Sequence, residues 1–250
     1  MSTWIIEHMP AHTVYLEPFA GSAAVFFNKP QSDIEILNDL NGDVINLFRI
    51  MRESPEALAA AVELTPWSRG EYELSTEPAP DALEQARRYL VKCWMGHKPK
   101  QAQVTGFKIN HRGKAQKHYP FLWSKLPGRI LTAAERLRHA QVESMDALEL
   151  IRRCKAENVL IYADPPYLMT RSRTNGLYKF ELRDMEHDML LRLLCEHPGP
   201  VLLSSLDCTM YADRLSAWEK KSFTVATASG RTNDEILWLN ETAMKQISNV

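Results

Sequence analysis

The stretch Val159-Leu160-Ile161-Tyr162-Ala163-Asp164-Pro165-Pro166-Tyr167 constrains the fold more than any other part of the chain. Four β-formers run without a polar break, the pattern of a parallel strand covered on both faces. The run then stops at an acid and two prolines that cannot extend a ladder. A chain of 250 residues around such a strand reads as one α/β domain, or one such domain with a sizeable insertion. Open α/β sheets place ligands beyond the carboxyl ends of their strands, where Ala163 and Asp164 fall. Pro165 and Pro166 hold φ at about −65° and push Asp164 into an extended conformation. The resulting shelf offers the Asp164 carboxylate, a backbone carbonyl near Pro165 and the ring of Tyr167. Two acceptors suit a ligand amino group with two hydrogens to give, and the ring suits a flat heterocycle. A nucleobase with an exocyclic amine meets all three, and on stacking alone phenylalanine would serve at position 167 nearly as well as tyrosine. The competing account is a plain strand-to-turn junction in which the acid caps the next helix.

Upstream, Thr13 to Leu16 reads as a strand closed by Glu17-Pro18-Phe19-Ala20-Gly21-Ser22-Ala23, a small-residue turn into a helix. Such a turn lets backbone amides and the helix N-terminus approach a ligand, although close helix packing alone also selects small residues. A second strand, Ile34 to Leu37, ends near Asp39, about 20 residues past that turn, where nucleoside-binding sheets keep an acid for ribose hydroxyls. Asp39 could instead cap the helix Val44 to Met51, a role equally open to Asn41 or Asp43. Ser54 and Pro55 open a helix through Leu64, Thr65 to Pro80 reads as loop, and Asp81 to Cys93 as helix. Further on, Thr132 to His139 is helical and Val142 to Ser144 a strand feeding Asp146, either a residue of the binding edge or an N-cap. Leu168 to Lys179 reads as a long loop carrying Arg171, and Glu186 to His197 as an amphipathic helix. The last strands are Val201 to Ser205, Phe223 to Ala226 and Ile236 to Leu239.

A formal net charge of −1 hides a lopsided distribution: from Gln85 to Ala134 there is no Asp or Glu, against eleven Lys and Arg. Within that window Lys98, Lys100, Lys108, Arg112, Lys114 and Lys117 interleave with Phe107, His111, His118 and Tyr119. That composition suits a surface that anchors phosphates and reads bases, so a polyanion partner is expected. Cys93, Cys154, Cys195 and Cys208 lie far apart without a C-x-x-C pair or a His cluster, so no metal site is expected. No apolar run approaches the roughly 18 residues of a membrane span, and the N-terminus does not begin a secretory signal. A cytoplasmic protein with no membrane partner is the expectation, as a monomer or weak dimer.

With EPFAGSAAVFFN, NDLNGDVINLFR and ADPPY in this order, the chain resembles the DNA adenine-N6 methyltransferases of the Dam type, phage-carried and restriction-modification versions included. The resemblance implies a mostly parallel, seven-stranded, Rossmann-like methyltransferase sheet with helices on both faces. It implies a mainly helical target-recognition insert at 65–131, leaving 1–64 and 132–250 as the catalytic domain. S-adenosylmethionine is the implied cofactor, with Glu17, Pro18, Phe19, Gly21 and Ser22 in its loop, Asp39 at the ribose, Asp146 near its adenine and Asp164 beside it. Asp164, Pro165, Pro166 and Tyr167 would be the catalytic tetrapeptide, acting on an adenine flipped out of double-stranded DNA by direct displacement. Lys98, Lys100, Lys108, Arg112, Lys114, Lys117 and Arg171 would meet the DNA. Two departures stand out. Relatives begin with a Gly-Gly-Lys segment upstream of where this chain starts, and Ala23 stands where a second glycine is usual, a methyl tolerated there only at negative φ. The alternatives are a DNA-binding relative without catalysis, and a cytosine-N4 or RNA methyltransferase.

Overall fold

The structure is a computed structural model that describes residues 1–97, 106–109, 118–167, 182–226 and 232–248. Its elements begin with α1 (Ser2–Ile6), β1 (Val14–Glu17), α2 (Ala24–Asn28) and β2 (Ile34–Asn38). Six helices follow: α3 (Gly42–Glu53), α4 (Pro55–Glu63), α5 (Arg69–Leu74), α6 (Ala82–Met95), α7 (Tyr119–Trp123) and α8 (Leu126–Leu137). Then come β3 (Ala140–Glu143), α9 (Ala147–Arg153), β4 (Val159–Ala163), α10 (Asp184–Cys195), β5 (Val201–Leu206) and α11 (Thr209–Arg214). The chain ends with β6 (Glu219–Ala226), β7 (Thr232–Leu239) and α12 (Glu241–Ser248). Two compact units result. One comprises 1–40, 140–167 and the described residues from 182 onward; the other comprises the described residues of 41–139.

The first unit is a seven-stranded sheet in the order β3-β2-β1-β4-β5-β7-β6. The first five strands run parallel, and β7 is inserted antiparallel between β5 and β6. This is the mostly parallel seven-stranded α/β sheet expected from the sequence. Every residue of β1 and of β4 is buried, as their unbroken apolar runs require for central strands covered on both faces. Leu16 lies opposite Ile36 on one side and Ile161 on the other, and Ile161 lies opposite Val201. Leu150 and Ile151 of α9 with Leu190, Leu191 and Leu194 of α10 pack against these strands to form the main core. The edge strand β6 begins four residues before the expected Phe223, at Glu219-Lys220-Lys221-Ser222. Apolar content hides it, because an edge strand carries charge to discourage further pairing.

Strand order reverses between β1 and β4, so consecutive crossovers leave in opposite directions from two adjacent strands. Such a point opens a crevice at the carboxyl ends of the strands. The residues just past β1, β2 and β4 are therefore the ones to inspect.

The second unit is helical. Val44, Leu47, Phe48 and Met51 form the buried stripe of α3, which packs on α6 and α8, while α4 packs on the same two helices. Helices α3 and α4, expected with the sheet, thus share a core with the helices of the segment beyond residue 65, and the compact unit runs from 41 to 139. Thr65 to Pro80, read as loop, contains α5, whose N-cap Ser68 accepts from the Glu71 N–H at 3.1 Å. Ser54 precedes α4 but makes no side-chain cap bond, and Pro55 alone marks that start. An aromatic cluster fills this unit. Trp67 stacks on Tyr119 with centroids 5.4 Å apart and meets Trp123 edge-on at 6.2 Å. Both indoles are satisfied, Trp67 by the Lys108 carbonyl at 3.0 Å and Trp123 by the Thr65 carbonyl at 2.8 Å.

Candidate functional site

The turn after β1 holds two residues in the left-handed region, Gly21 and Ala23, each at φ 49°. A Cβ built on Gly21 would meet no atom within 4 Å, so glycine is required there by torsion and not by crowding. Ala23 is fully buried and is the one non-glycine residue at positive φ among those described. The condition set for tolerating its methyl, a negative φ, is therefore not met. The Gly21 N–H donates to Asp39 Oδ2 at 2.7 Å, which ties the acid after β2 to the turn after β1. Helix α3 is capped by Asn41, which accepts from the Asp43 N–H at 3.1 Å, so Asp39 is not spent on that helix. Asp146 is exposed and caps α9 by accepting from the Glu149 N–H at 2.9 Å.

Nothing in the sequence pattern singles out Asn38, yet it joins three turns. Its buried amide donates to the Pro18 carbonyl and to the Met145 carbonyl, both at 3.0 Å, and its oxygen accepts from the Met145 N–H at 2.9 Å. The Asn38 carbonyl also takes the Ala20 N–H at 2.8 Å. The turns after β1, β2 and β3 are thereby fixed to one another. Pro18 is buried, Phe19 is half-buried against the sheet core, and Ser22 is exposed.

Glu17 ends β1 and is buried, with Oε2 accepting from the Tyr15 hydroxyl at 2.8 Å. Burial pushes its carboxyl up to about 8, the Asp164 charge adds to the rise, and the Tyr15 hydrogen bond opposes it. Its side chain belongs to the interior of the sheet rather than to the face of the turn.

Asp164 is the first residue past β4. Crowding by protein, then the Glu235 carboxylate, push it up to about 7, and the Tyr167 hydroxyl pulls the other way. Asp164 is itself exposed to water. The Tyr167 hydroxyl donates to Glu235 Oε2 at 3.0 Å. Glu235 stands on β7, immediately ahead of the apolar run Ile236 to Leu239, and has no motif to announce it. Beneath the shelf, the buried Tyr162 hydroxyl lies 3.1 Å from Ser204 Oγ. Asp164 thus stands electrostatically between two other carboxyl groups, raising Glu17 of β1 and being raised by Glu235 of β7.

Of the seven cations expected to meet DNA, Lys98, Lys100, Arg112, Lys114, Lys117 and Arg171 lie outside the described residues. Lys108 is described, and its ammonium donates to the Trp94 carbonyl at 2.9 Å. At the start of the acid-free window, Arg87 pairs with Glu71 at 2.6 Å and Glu84 at 2.7 Å, and Arg88 with Glu84 at 2.7 Å. Those two cations are neutralised by acids just outside the window, which holds the Glu84 carboxyl down at about 2.

The family model of the D12 class N6 adenine-specific DNA methyltransferases matches residues 1–222. The chain belongs to that family. As a D12-class member it is an adenine-specific DNA methyltransferase. A DNA adenine methylase of Serratia marcescens is 26% identical over 226 residues, 84% of this chain and 80% of that protein. Among solved structures, a putative methyltransferase from Escherichia coli aligns over 96% of this chain and 81% of its own, with TM-score 0.41 and 10% identity. A conserved hypothetical protein of Streptococcus pyogenes aligns over 91% and 86%, with TM-score 0.39 and 10% identity. Likeness at that level adds nothing to the strand order, which stands on its own pairings. Among the described residues, no helix of this D12-class chain is long and apolar enough to cross a membrane.

Proposed function

We propose that the shelf Asp164-Pro165-Pro166-Tyr167 is the methyl-transfer site, moving a methyl group from S-adenosylmethionine to N6 of an adenine flipped out of double-stranded DNA. The observation that carries this reading is the alignment of three adjacent strands, β2, β1 and β4, at one edge. Their ends present an acid, a turn of small residues bonded to that acid, and a shelf with two acceptors. Apart from Ala23, whose methyl stands at positive φ, the residues of the turn fit the cofactor. Asp39, held against the turn by Gly21, supplies an acceptor for ribose hydroxyls, and Gly21 leaves open space where a side chain would stand. Phe19 and Ser22 complete the turn, with Asp146 toward the adenine end; Glu17 and Pro18 support it from the interior. S-adenosylmethionine, when bound, supplies a methyl group on a positively charged sulfur.

The Asp164 carboxylate and the Pro165 carbonyl each take one hydrogen of the adenine amine, which turns the nitrogen lone pair toward the methyl group, an effect of orientation. The carboxylate also stabilises positive charge as it develops on that nitrogen, and must be ionised to do so. The target base is paired inside the duplex, so it has to be extruded, and Tyr167 stacks on it. The segment 65–131 acts as the target-recognition insert, with Lys98, Lys100, Arg112, Lys114, Lys117 and Arg171 at the phosphates.

Transfer of labelled methyl groups into duplex DNA tests the reading. Asp164→Ala should abolish transfer while leaving duplex affinity within a few-fold, because Asp164 positions one amine and anchors no phosphate. Near-parent turnover in that variant would remove the assignment. Calorimetry with S-adenosylmethionine covers the cofactor: no binding heat, with duplex affinity intact, would identify a DNA-binding relative without catalysis.

A further inference from the structure

We propose that Glu235 is a positioning residue for methyl transfer, holding the Tyr167 hydroxyl so that the ring keeps one tilt beside Asp164. The inference rests on the assignment of the shelf as the transfer site. Tyr167 lies beyond the end of β4, past the two prolines, and its ring would be free to rotate about two side-chain torsions if only its face were in use. Its hydroxyl instead donates to Glu235 at 3.0 Å. Glu235 is well fixed for that task. It sits on β7 opposite Leu206 of β5 on one side and Phe223 of β6 on the other, so the anchor belongs to the interior of a three-strand segment and not to a loop. Reacting groups borne on strands are held more precisely than groups borne on turns. A stacked base inherits the tilt of the ring beneath it, so fixing Tyr167 fixes the angle at which the amine meets Asp164.

The arrangement has an electrostatic side. Glu235 brings a second carboxylate near Asp164, and that neighbour opposes ionisation of Asp164. Besides Tyr167, the groups that couple to Asp164 from other elements are Glu17 of β1, Tyr162 of β4 and Tyr211 of α11. Substitution at 235 or 167 leaves all three residues in place, and of them Tyr162 also feels the Glu235 charge. Two isosteric variants should therefore differ in the acid limb of the turnover profile. Glu235→Gln keeps an acceptor for the hydroxyl but removes the charge, so the limb moves to lower pH. Tyr167→Phe removes the hydrogen bond but leaves the Glu235 charge in place, so the limb stays near its parent position.

The test is single-turnover and steady-state methyl transfer with the full chain, S-adenosylmethionine and duplex DNA, across pH. Glu235→Ala and Tyr167→Phe should each lower kcat on the order of tenfold through loosened alignment, with KM for DNA near the parent value. The double variant should be no worse than the poorer single one, since both remove the same hydrogen bond. Additive losses, a parent-like kcat in Glu235→Ala, or a Glu235→Gln limb that does not move would overturn the proposal. If Glu235→Ala fails to fold, the two isosteric variants decide: Glu235→Gln moves the acid limb to lower pH, and Tyr167→Phe lowers kcat without moving it. Asp164→Ala separates the two levels of inference. Turnover surviving in Asp164→Ala sinks the shelf and Glu235 together, whereas a dead Asp164→Ala beside a normal Glu235→Ala sinks only the role given to Glu235.

Discussion

Gly21 and Ala23 share a φ of 49°, one without a side chain and one with a buried methyl, so exchanging each for the other isolates torsion from packing. An L-residue in the left-handed region costs about 1–2 kcal/mol. Replacing glycine by alanine recovers about 0.4–1 kcal/mol by restricting the unfolded chain. At Gly21 no atom lies within 4 Å of the added Cβ, so packing contributes nothing of either sign. Gly21→Ala should therefore destabilise by roughly 0.5–1 kcal/mol, the torsional cost less the entropic gain. For a chain of this size that is a fall of about 1–4 °C in Tm. Ala23→Gly runs the cycle in reverse with one more step. It relieves about 1–2 kcal/mol of strain, loses about 0.4–1 to the unfolded state and about 0.8 from the buried methyl, and ends near zero. Urea and thermal unfolding without cofactor measure both, followed by a probe of the sheet-bearing unit. A Gly21→Ala variant as stable as the parent would refute the torsional argument. So would an Ala23→Gly variant stabilised by more than about 2 kcal/mol, which exceeds the whole strain available.

Three further outcomes follow from particular bonds. Asn38→Asp replaces an amide facing two carbonyls with an acceptor, and should destabilise by about 2 kcal/mol or more at neutral pH; a loss under about 0.5 in urea unfolding would show that the three turns are not clamped there. Glu17 keeps its proton in the folded chain up to about pH 8 but releases it near 4.5 once unfolded, so its contribution is fully present below 4.5 and is lost as pH rises through 8. Glu17→Gln should flatten that decline, and parallel stability curves for variant and parent between those pH values would contradict the buried carboxyl. Changing Arg112, Lys114 and Lys117 together to Ala should flatten the plot of log duplex affinity against log salt by about 0.9 for each phosphate that is no longer neutralised. Lys108→Ala should leave that slope alone and lower stability instead, because its ammonium is held by the Trp94 carbonyl.

The sheet was legible because its central parallel strands read as short unbroken apolar runs rich in β-branched and aromatic residues. Val159 to Ala163 and Val14 to Leu16 carry no polar residue, and both are buried throughout. Edges were less legible for the converse reason: β6 opens with Glu219-Lys220-Lys221, residues chosen for solvent and for blocking a further strand. In the helical unit, α5 was hidden because six residues span under two turns, too few for a period to show. The membership of α3 and α4 was hidden because a buried stripe states that a helix packs and not on what.

Asp164, Gly21 and Asp39 could be proposed from the sequence because each follows the end of a strand, where open α/β sheets place ligands. Asn38 and Glu235 were not, since each acts through partners remote in the chain: Met145 is 107 positions from Asn38, and Tyr167 is 68 from Glu235. The same distinction revises the reading of Tyr167. As an isolated ring it asks only for a flat partner, and phenylalanine would do; with its hydroxyl on Glu235 it becomes an oriented ring, and the hydroxyl acquires a function that stacking does not need. It also revises the charge argument. Eleven cations without an intervening acid overstate the field, because Arg87 and Arg88 fold back onto Glu71 and Glu84; Lys108 keeps its charge but turns its ammonium to the Trp94 carbonyl. The cations proposed to meet DNA are then a narrower set, Lys98, Lys100, Arg112, Lys114, Lys117 and Arg171, which is why the salt slope and not the total charge is the quantity that discriminates.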